Sequence, residues 1–292
     1  MSGAAGATGS ARPTVSIVVP AHNEEAVIAT NLRALLAGTA PDEFDVVVVA
    51  NACHDRTAEI AKSAGVRVIE TETPGKAHAI ALGDAVARTF PRIYLDADVR
   101  LSATSARALV SASARPGVLA CAPVPQLELT GVGWFVGRVH RVHDGLIAPN
   151  RALAGVGAYV LTDAGHARVF PMPPDVISDD GWVHASFTPG ERVVVPEAVS
   201  LVRPARTVAA HLERRVRVRR GNRQLAALGR PYREGRLGLG SLASLVRRRS
   251  VGPLDAGCYL AVFVVDRALT RVRRRDRWAA DASSRVAEPL GD

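Results

Sequence analysis

Across the first hundred residues, short apolar runs alternate with helical segments, and that alternation leaves few architectures open. Val15-Ser16-Ile17-Val18-Val19-Pro20 is an apolar run stopped by proline. Asp45-Val46-Val47-Val48-Val49-Ala50, Val66-Arg67-Val68-Ile69 and Arg92 to Leu95 repeat the theme. Each is short, rich in β-branched residues and bounded by turn residues, as buried strands are. A helical pattern runs from Asn23-Glu24-Glu25 through Leu36, another near Thr57–Ala64, and a third from Gly75-Lys76 to about Arg88. Strands joined by helices of this length predict a parallel sheet covered on both faces. Ligands of such sheets bind beyond the carboxyl ends of the strands. The polar groups Pro20–Glu24, Asn51–Asp55 and Asp96–Asp98 all fall there.

Beyond Ser102 the alternation is less regular. The pattern predicts a helix near Thr104–Ser113, a strand over Val118–Ala122, a helix over Gly133–Ile147 and a glycine-led strand over Gly155–Leu161. Pro171-Met172-Pro173-Pro174 reads as a loop that delivers Ser178-Asp179-Asp180-Gly181-Trp182. Arg192–Val195 and Ala198–Val202 suggest a hairpin, and a basic helix follows from about Arg206 to Leu228. The expected organisation is a disordered tail over 1–12, an α/β domain over 13–228 and a basic helical extension over 229–292.

Composition narrows the class. Hydrophobic residues make up 48% of 292, enough for a sizeable core, but aromatics are only 4%. Base stacking on nucleic acid is therefore poorly supplied, and no nucleic-acid partner is expected. Cys53, Cys121 and Cys258 form no CxxC pair and no even set, which suits a reducing, cytoplasmic compartment. From Arg203 to Arg277 about 20 arginines face about 5 acids, so this segment carries roughly +15 and, with a net charge of +9, the remainder is mildly acidic. Such a segment suits a phosphate-bearing substrate or the inner face of a membrane, contacted peripherally. Ala256 to Val265 is apolar but ends at Asp266-Arg267, too short to span a bilayer. It reads as a packed helix or, flanked by Arg247-Arg248-Arg249 and Arg273-Arg274-Arg275, as an interfacial one.

Tyr94-Leu95-Asp96-Ala97-Asp98 runs an apolar strand into two carboxylates one residue apart. In an extended chain they point the same way and could share one hard cation, and that cation could hold a diphosphate. The competing reading is a strand-end turn. The first turn, Pro20-Ala21-His22-Asn23-Glu24, is acidic and free of glycine. That disfavours a nucleotidyltransferase, which usually has a glycine-rich loop with a basic residue there, and a dinucleotide oxidoreductase.

Taken in order, these motifs resemble the family 2 glycosyltransferases of the GT-A fold, an α/β fold with a mostly parallel Rossmann-like sheet. Val15–Glu25 is similar to the family's first strand and proline–acid turn, and Val47–Thr57 to its second strand and nucleoside-binding turn. Gly75-Lys76 resembles its glycine–lysine element, Asp96-Ala97-Asp98 its Asp-x-Asp motif, Ser178-Asp179-Asp180 its acidic pair, and Arg214–Gly221 its later Gln-x-x-Arg-Trp region. The sequence departs at Ala50-Asn51, where the family has two aspartates, and at Arg214 and Val218, where it has Gln and Trp.

The resemblance implies an inverting, metal-dependent hexosyltransferase that takes a nucleoside-diphosphate sugar and an alcohol acceptor, small or lipid-linked. The Val218 departure suits a single addition over processive synthesis. Asp98 and Asp96 would hold Mg²⁺ or Mn²⁺, with Asp96 also facing the donor. Asp180, with Asp179 beside it, would supply the catalytic base, the alternative being a helix cap. Pro20, Asn23, Glu24, Asn51, Asp55 and Lys76 would contact the donor, and Arg217 and Arg220 would clamp its diphosphate. Helix capping competes for Asn23 and Glu24, and an ordinary surface role for Lys76. His140-x-x-His143-Asp144 has helical spacing but is expected at the surface or in an acceptor groove. The alternatives kept open are a nucleotidyltransferase and a basic nucleic-acid- or membrane-binding protein on a non-catalytic GT-A fold.

Overall fold

The computed structural model describes residues 13–231 and 238–272. The segment expected as a disordered tail, 1–12, lies outside these residues, as do 232–237 and 273–292 of the basic extension. Among the described residues one mixed sheet is built from β1 (Val15–Ala21), β2 (Phe44–Asn51), β3 (Arg67–Thr71), β4 (Arg92–Leu95), β5 (Arg100–Leu101), β6 (Ala120–Leu127), β7 (Ala158–Leu161) and β8 (Arg192–Val202). Their order is β3-β2-β1-β4-β7-β6-β8-β5.

β1 to β4 are parallel, as the alternation predicts. The chain starts at β1, steps outward through α1 (Ile28–Leu36) and α2 (Thr57–Ser63) to β3, then returns through α3 (Lys76–Val86) to β4 on the far side of β1. That reversal opens a crevice at the carboxyl ends of β1 and β4. The second half departs from the parallel expectation. β7 runs antiparallel to β4 and β6, β8 is parallel to β6, and the two-residue β5 pairs antiparallel with β8.

No hairpin forms over 192–202. β8 is one strand whose two halves both pair with β6, and the register jumps from Pro123↔Val195 to Val124↔Val199. The jump passes over Pro196, which has no N–H to offer a ladder and sits at the irregularity, where proline is tolerated.

Alternation along the strands fills both faces. Ile17, Val19 and Val48 join Leu32, Leu35 and Leu109 on the α1 side, with α4 (Ala103–Ser113). Val18 joins Ile80, Tyr94, Tyr159 and Trp182 on the other, under α3, α6 (Asp163–Val169) and α7 (Asp179–Ala185). Two buried faces explain why these strands read as unbroken apolar runs. α3 lies so close that a Cβ on Gly83 would stand 2.5 Å from Val18 Cγ1.

A third, smaller core lies between α5 (Trp134–Ile147), α9 (Leu239–Arg247) and α10 (Pro253–Val272), around Val139, Val142, Leu242, Tyr259 and Val262. α8 (Val208–Ala227) is the expected basic helix. Among the described residues no helix is long and apolar enough to cross a membrane.

Candidate functional site

The Asp96–Asp98 pair does not continue β4 as extended chain. It occupies a tight turn in which Val99 N–H donates to Asp96 O at 3.0 Å, while Asp96 N–H donates to Gly157 O at 2.9 Å. Gly157 (φ 72°) is required there, because a Cβ would lie 2.4 Å from Val99 Cγ2. The turn, not strand periodicity, therefore sets the two carboxylates.

Lys76, the first residue of α3, reaches across the crevice. Its Nζ lies 2.7 Å from Asp96 Oδ1 and 2.9 Å from Asp179 Oδ1. Gly75 precedes it at φ 141°, a backbone state closed to most side chains. The surface reading of Lys76 thus gives way to a bridge between two candidate site residues. Pro20, Tyr94, Asp179 and Asp180 line the same cleft.

Asp179 and Asp180 open α7. Ser178 is the N-cap, its Oγ accepting from Gly181 N–H at 3.2 Å, although Asp180 Oδ1 shares that donor at 2.7 Å. Ser178 O–H also donates to Asp180 Oδ1 at 2.8 Å, and Gly155 N–H to Oδ2 at 2.7 Å. Burial opposes charge on Asp180, but Lys76 and these donors outweigh it and hold the carboxyl below its usual range. Asp179 differs. Burial dominates and raises it, assisted by Asp180 and Asp96 and opposed by Lys76. Burial would lower Lys76, but Asp179, Asp96 and Asp180 together raise it. Three carboxylates thus share one lysine, leaving a cleft short of positive charge.

That deficit tests the metal expectation. Carboxylate oxygens are hard ligands suited to Mg²⁺ or Mn²⁺. Among the described residues no three His, Cys, Asp or Glu side chains are arranged to hold a metal ion by themselves. The chain would therefore supply one or two carboxylates, Asp98 and Asp96, and leave the remaining positions to phosphate oxygens, the usual way magnesium is held beside nucleotides. The residues fit the ion on that basis.

The first two turns hold a different surprise. Asn23 Oδ1 accepts from His54 N–H at 2.8 Å, Glu24 N–H donates to Thr57 Oγ1 at 2.7 Å, and Glu25 N–H donates to Asp55 Oδ2 at 3.1 Å. Asp55 Oδ1 also accepts from Thr57 N–H at 3.0 Å. These groups lace the two loops together. Asp55 and Asn23 are occupied by that task, and neither Asn23 nor Glu24 caps α1, whose N-cap is Val27. Asn51, at the end of β2, keeps a buried Oδ1 with no hydrogen-bond partner. It is the group of this set best placed to accept a ligand's donor.

Arg217 is exposed and Arg220 half-buried on α8, and neither lines the cleft. Their neighbours Arg215 and Arg219 bind Asp266 of α10 at 2.9 and 2.7 Å. His140 Nε2 donates to Ala205 O at 2.8 Å, and the ring packs edge-on against His211. It is buried, in place of the expected surface or groove setting. Burial lowers His143 to about 3 and His211 to about 4, so both are neutral imidazoles.

Sequence reasoning missed the supports of the acidic pair. Gln224 of α8 accepts from Ile177 N–H at 2.8 Å and donates to Asp175 O at 2.9 Å, holding the segment that leads into Asp179. Gly221 and Gly181 let α8 and α7 approach, since a Cβ on Gly181 would stand 2.7 Å from Leu225 Cδ1. Tyr159, stacked on Tyr94, directs its hydroxyl to Asp179 Oδ2 at 3.4 Å. The Gly155-x-Gly157 spacing was the one available signal.

Comparison with solved structures places the fold. A mannosyltransferase from Pyrobaculum calidifontis, solved with GDP-Man and Mn²⁺, superposes with a TM-score of 0.59 at 22% identity, covering 89% of this chain and 79% of that one. Glucosyl-3-phosphoglycerate synthase from Mycobacterium tuberculosis, solved with Mn²⁺, UDP-Glc and phosphoglyceric acid, gives 0.54 at 20% identity over 76% of this chain and 81% of that one. No curated protein matches the sequence. The family model described as glycosyl transferase family 2 matches residues 16–143, the stretch that carries β1 to β6, Lys76 and the Asp96–Asp98 turn. Residues 16–143 are thus similar to glycosyl transferase family 2, and the chain has the GT-A fold of these solved transferases.

Proposed function

We propose that the chain transfers a hexosyl unit, with inversion and one unit at a time, from a nucleoside-diphosphate sugar to an alcohol acceptor, small or lipid-linked. The observation that carries this reading is the cleft in which Asp96, Asp179 and Asp180 share only Lys76. A diphosphate cannot enter such a cleft without added positive charge, and Mg²⁺ or Mn²⁺ on Asp98 and Asp96 would supply it and neutralise the leaving group. Both solved relatives above contain Mn²⁺ in their crystals, which supports the same reading.

Within this scheme Asn51 accepts from the donor's base or ribose, Pro20 shapes the floor of the cleft, and Lys76 faces the diphosphate. Asp180 is the base. It is ionised at any working pH and more open to solvent than Asp179, so an acceptor hydroxyl can reach it. Its low basicity places its contribution toward the low end of the ~10²–10⁴-fold typical of general bases. Asp179 anchors Lys76. Asn23, Glu24 and Asp55 act through the loop frame, and Arg217 and Arg220 meet the diphosphate only if α8 shifts toward it. Residues 13–228 form the transferase domain, and 229–292 an extension that places it peripherally at the inner face of a membrane.

A panel of UDP-, GDP- and dTDP-sugars read by thermal shift tests the reading. One nucleotide class is expected to raise the melting temperature with Mn²⁺ or Mg²⁺ present and not in EDTA, and Asp98→Ala is expected to lose that shift. A donor shift indifferent to EDTA and retained by Asp98→Ala would refute it.

A further inference from the structure

α10 buries Tyr259 and Val262 in the third core and still turns an apolar arc outward, because its acids lie on the inner side. Its two acids point inward: Asp255 is 2.6 Å from Arg138 and 3.7 Å from Arg141 of α5, and Asp266 takes Arg215 and Arg219 of α8. Both are almost fully buried. The outward positions are Leu254, Gly257, Ala261, Val264, Val265 and Ala268, all exposed, with Arg267, also exposed, at the edge of their arc over the Phe263 ring. The outward positions recur at helical spacing over about 21 Å of helix and carry no polar side chain. Val264 is 64% and Leu254 56% exposed, and a contiguous apolar arc of this kind marks an interaction surface.

Positive charge frames this face. Arg247, Arg248 and Arg249 are exposed at the end of α9, just before α10 begins. Trp134, 61% exposed, stacks under the Arg138 guanidinium that reaches Asp255, so an indole flanks the same end. The sequence continues past α10 with Arg273-Arg274-Arg275, outside the described residues.

We propose that the outer face of α10 lies in the headgroup layer of an anionic bilayer, its apolar arc in the acyl boundary and its arginines on lipid phosphates. Charge selects this occupant over a second copy of the chain. In a two-fold pair of antiparallel α10 helices, Arg247, Arg248 and Arg249 before one helix would face the exposed Arg267 near the end of the other. The same arginines favour anionic over neutral lipid. The inference rests on the peripheral placement proposed above and is independent of the chemistry in the cleft.

The full chain is sedimented with vesicles of phosphatidylcholine alone and with vesicles holding about one quarter phosphatidylglycerol. Binding is expected to the anionic vesicles, at least about tenfold above the neutral ones. Leu254→Glu/Val264→Glu should lower it by about tenfold or more. Arg247→Ser/Arg248→Ser/Arg249→Ser, which leaves the apolar face intact, should lower it and weaken its salt dependence. Circular-dichroism melts report that the variants fold, and the donor thermal shift, unchanged in both, separates failure here from failure of the transferase reading. Equal binding to both vesicles, wild-type binding by either variant, or light scattering that shows a dimer broken by Leu254→Glu/Val264→Glu would overturn the proposal.

Discussion

Lys76→Met tests the electrostatics of the cleft directly. Among the described residues Lys76 is the cation that touches both Asp96 and Asp179. Methionine keeps most of the aliphatic stem and removes the charge. Asp179, only 4% exposed, is then left beside Asp96 and Asp180 with no positive partner. Breaking a buried pair costs about 3–5 kcal/mol. Here Lys76 and Asp96 are each over a third exposed, so solvent screens part of the interaction, and about 2–3 kcal/mol is the better figure. Asp179 has an escape, which is to bind a proton. Its carboxyl is already raised, and losing Lys76 raises it further. A raised carboxyl makes the folded state the better proton binder, so the destabilisation is greatest above that value and fades as pH falls, by up to about 1.4 kcal/mol per pH unit. Urea unfolding of wild type and variant at about pH 7.5 and 5.5 reads both the size and the slope. Lys76→Met/Asp179→Asn, which removes the stranded charge, should recover most of the loss at the higher pH. A loss under about 0.5 kcal/mol with no pH dependence, or no recovery in the double variant, would show that the three carboxylates do not depend on Lys76 as argued.

Asp180→Asn is expected to keep donor binding within about threefold and to lower kcat by roughly 10²-fold, measured under saturating donor. Unchanged kcat would move the base elsewhere. The buried imidazoles of His143 and His211 predict acid sensitivity away from the cleft. Their folded values of about 3 and about 4 lie below the unfolded value near 6.5, so the unfolded chain binds protons that the folded chain refuses. Stability should fall as pH drops from about 6.5 toward 4.5, by up to about 4 kcal/mol relative to His143→Gln/His211→Gln in urea unfolding. Parallel curves for the two proteins would contradict the burial argument.

The parts of this fold that local patterning dictates were legible, and the parts set by distant partners were not. β1, β2 and β4 announce themselves because each is buried on two faces and so reads as an apolar run, while β3, half-buried at the sheet edge, shows only the shorter Val68-Ile69. β5 has two residues, too few for any period. The residues over 192–202 looked like a hairpin because Pro196 interrupts them, and only the pairing of both halves with β6 shows a single strand. The site divides the same way. Strand ends and a helix start brought Asp96, Lys76 and Asp179 to one cleft, as their positions along an α/β chain require. Nothing local reveals that Asp55 and Glu25, thirty residues apart, hydrogen-bond each other's turns. Their polar character advertised a ligand and was used for the frame.

Asp266 carries the same lesson to the C-terminal helices. In the sequence it cuts short an apolar run and argues against a bilayer span. In the structure that charge belongs to α8, whose Arg215 and Arg219 lie 51 and 47 residues earlier in the chain. Neutralised inward, it leaves the outer arc of α10 apolar, with Arg267 at its edge. α8 thereby serves two neighbours from different sides: Gly221, Gln224 and Leu225 support the turn that carries Asp179 and Asp180, and Arg215 and Arg219 hold α10. Its strongly basic composition follows partly from that second task, since two buried-side acids on α10 need guanidinium partners from α5 and α8 to be tolerable at all. The turn that carries Asp179 and Asp180 and the apolar face of α10 are therefore fixed to one helix, so a lipid surface engaged by α10 would meet the cleft in one orientation.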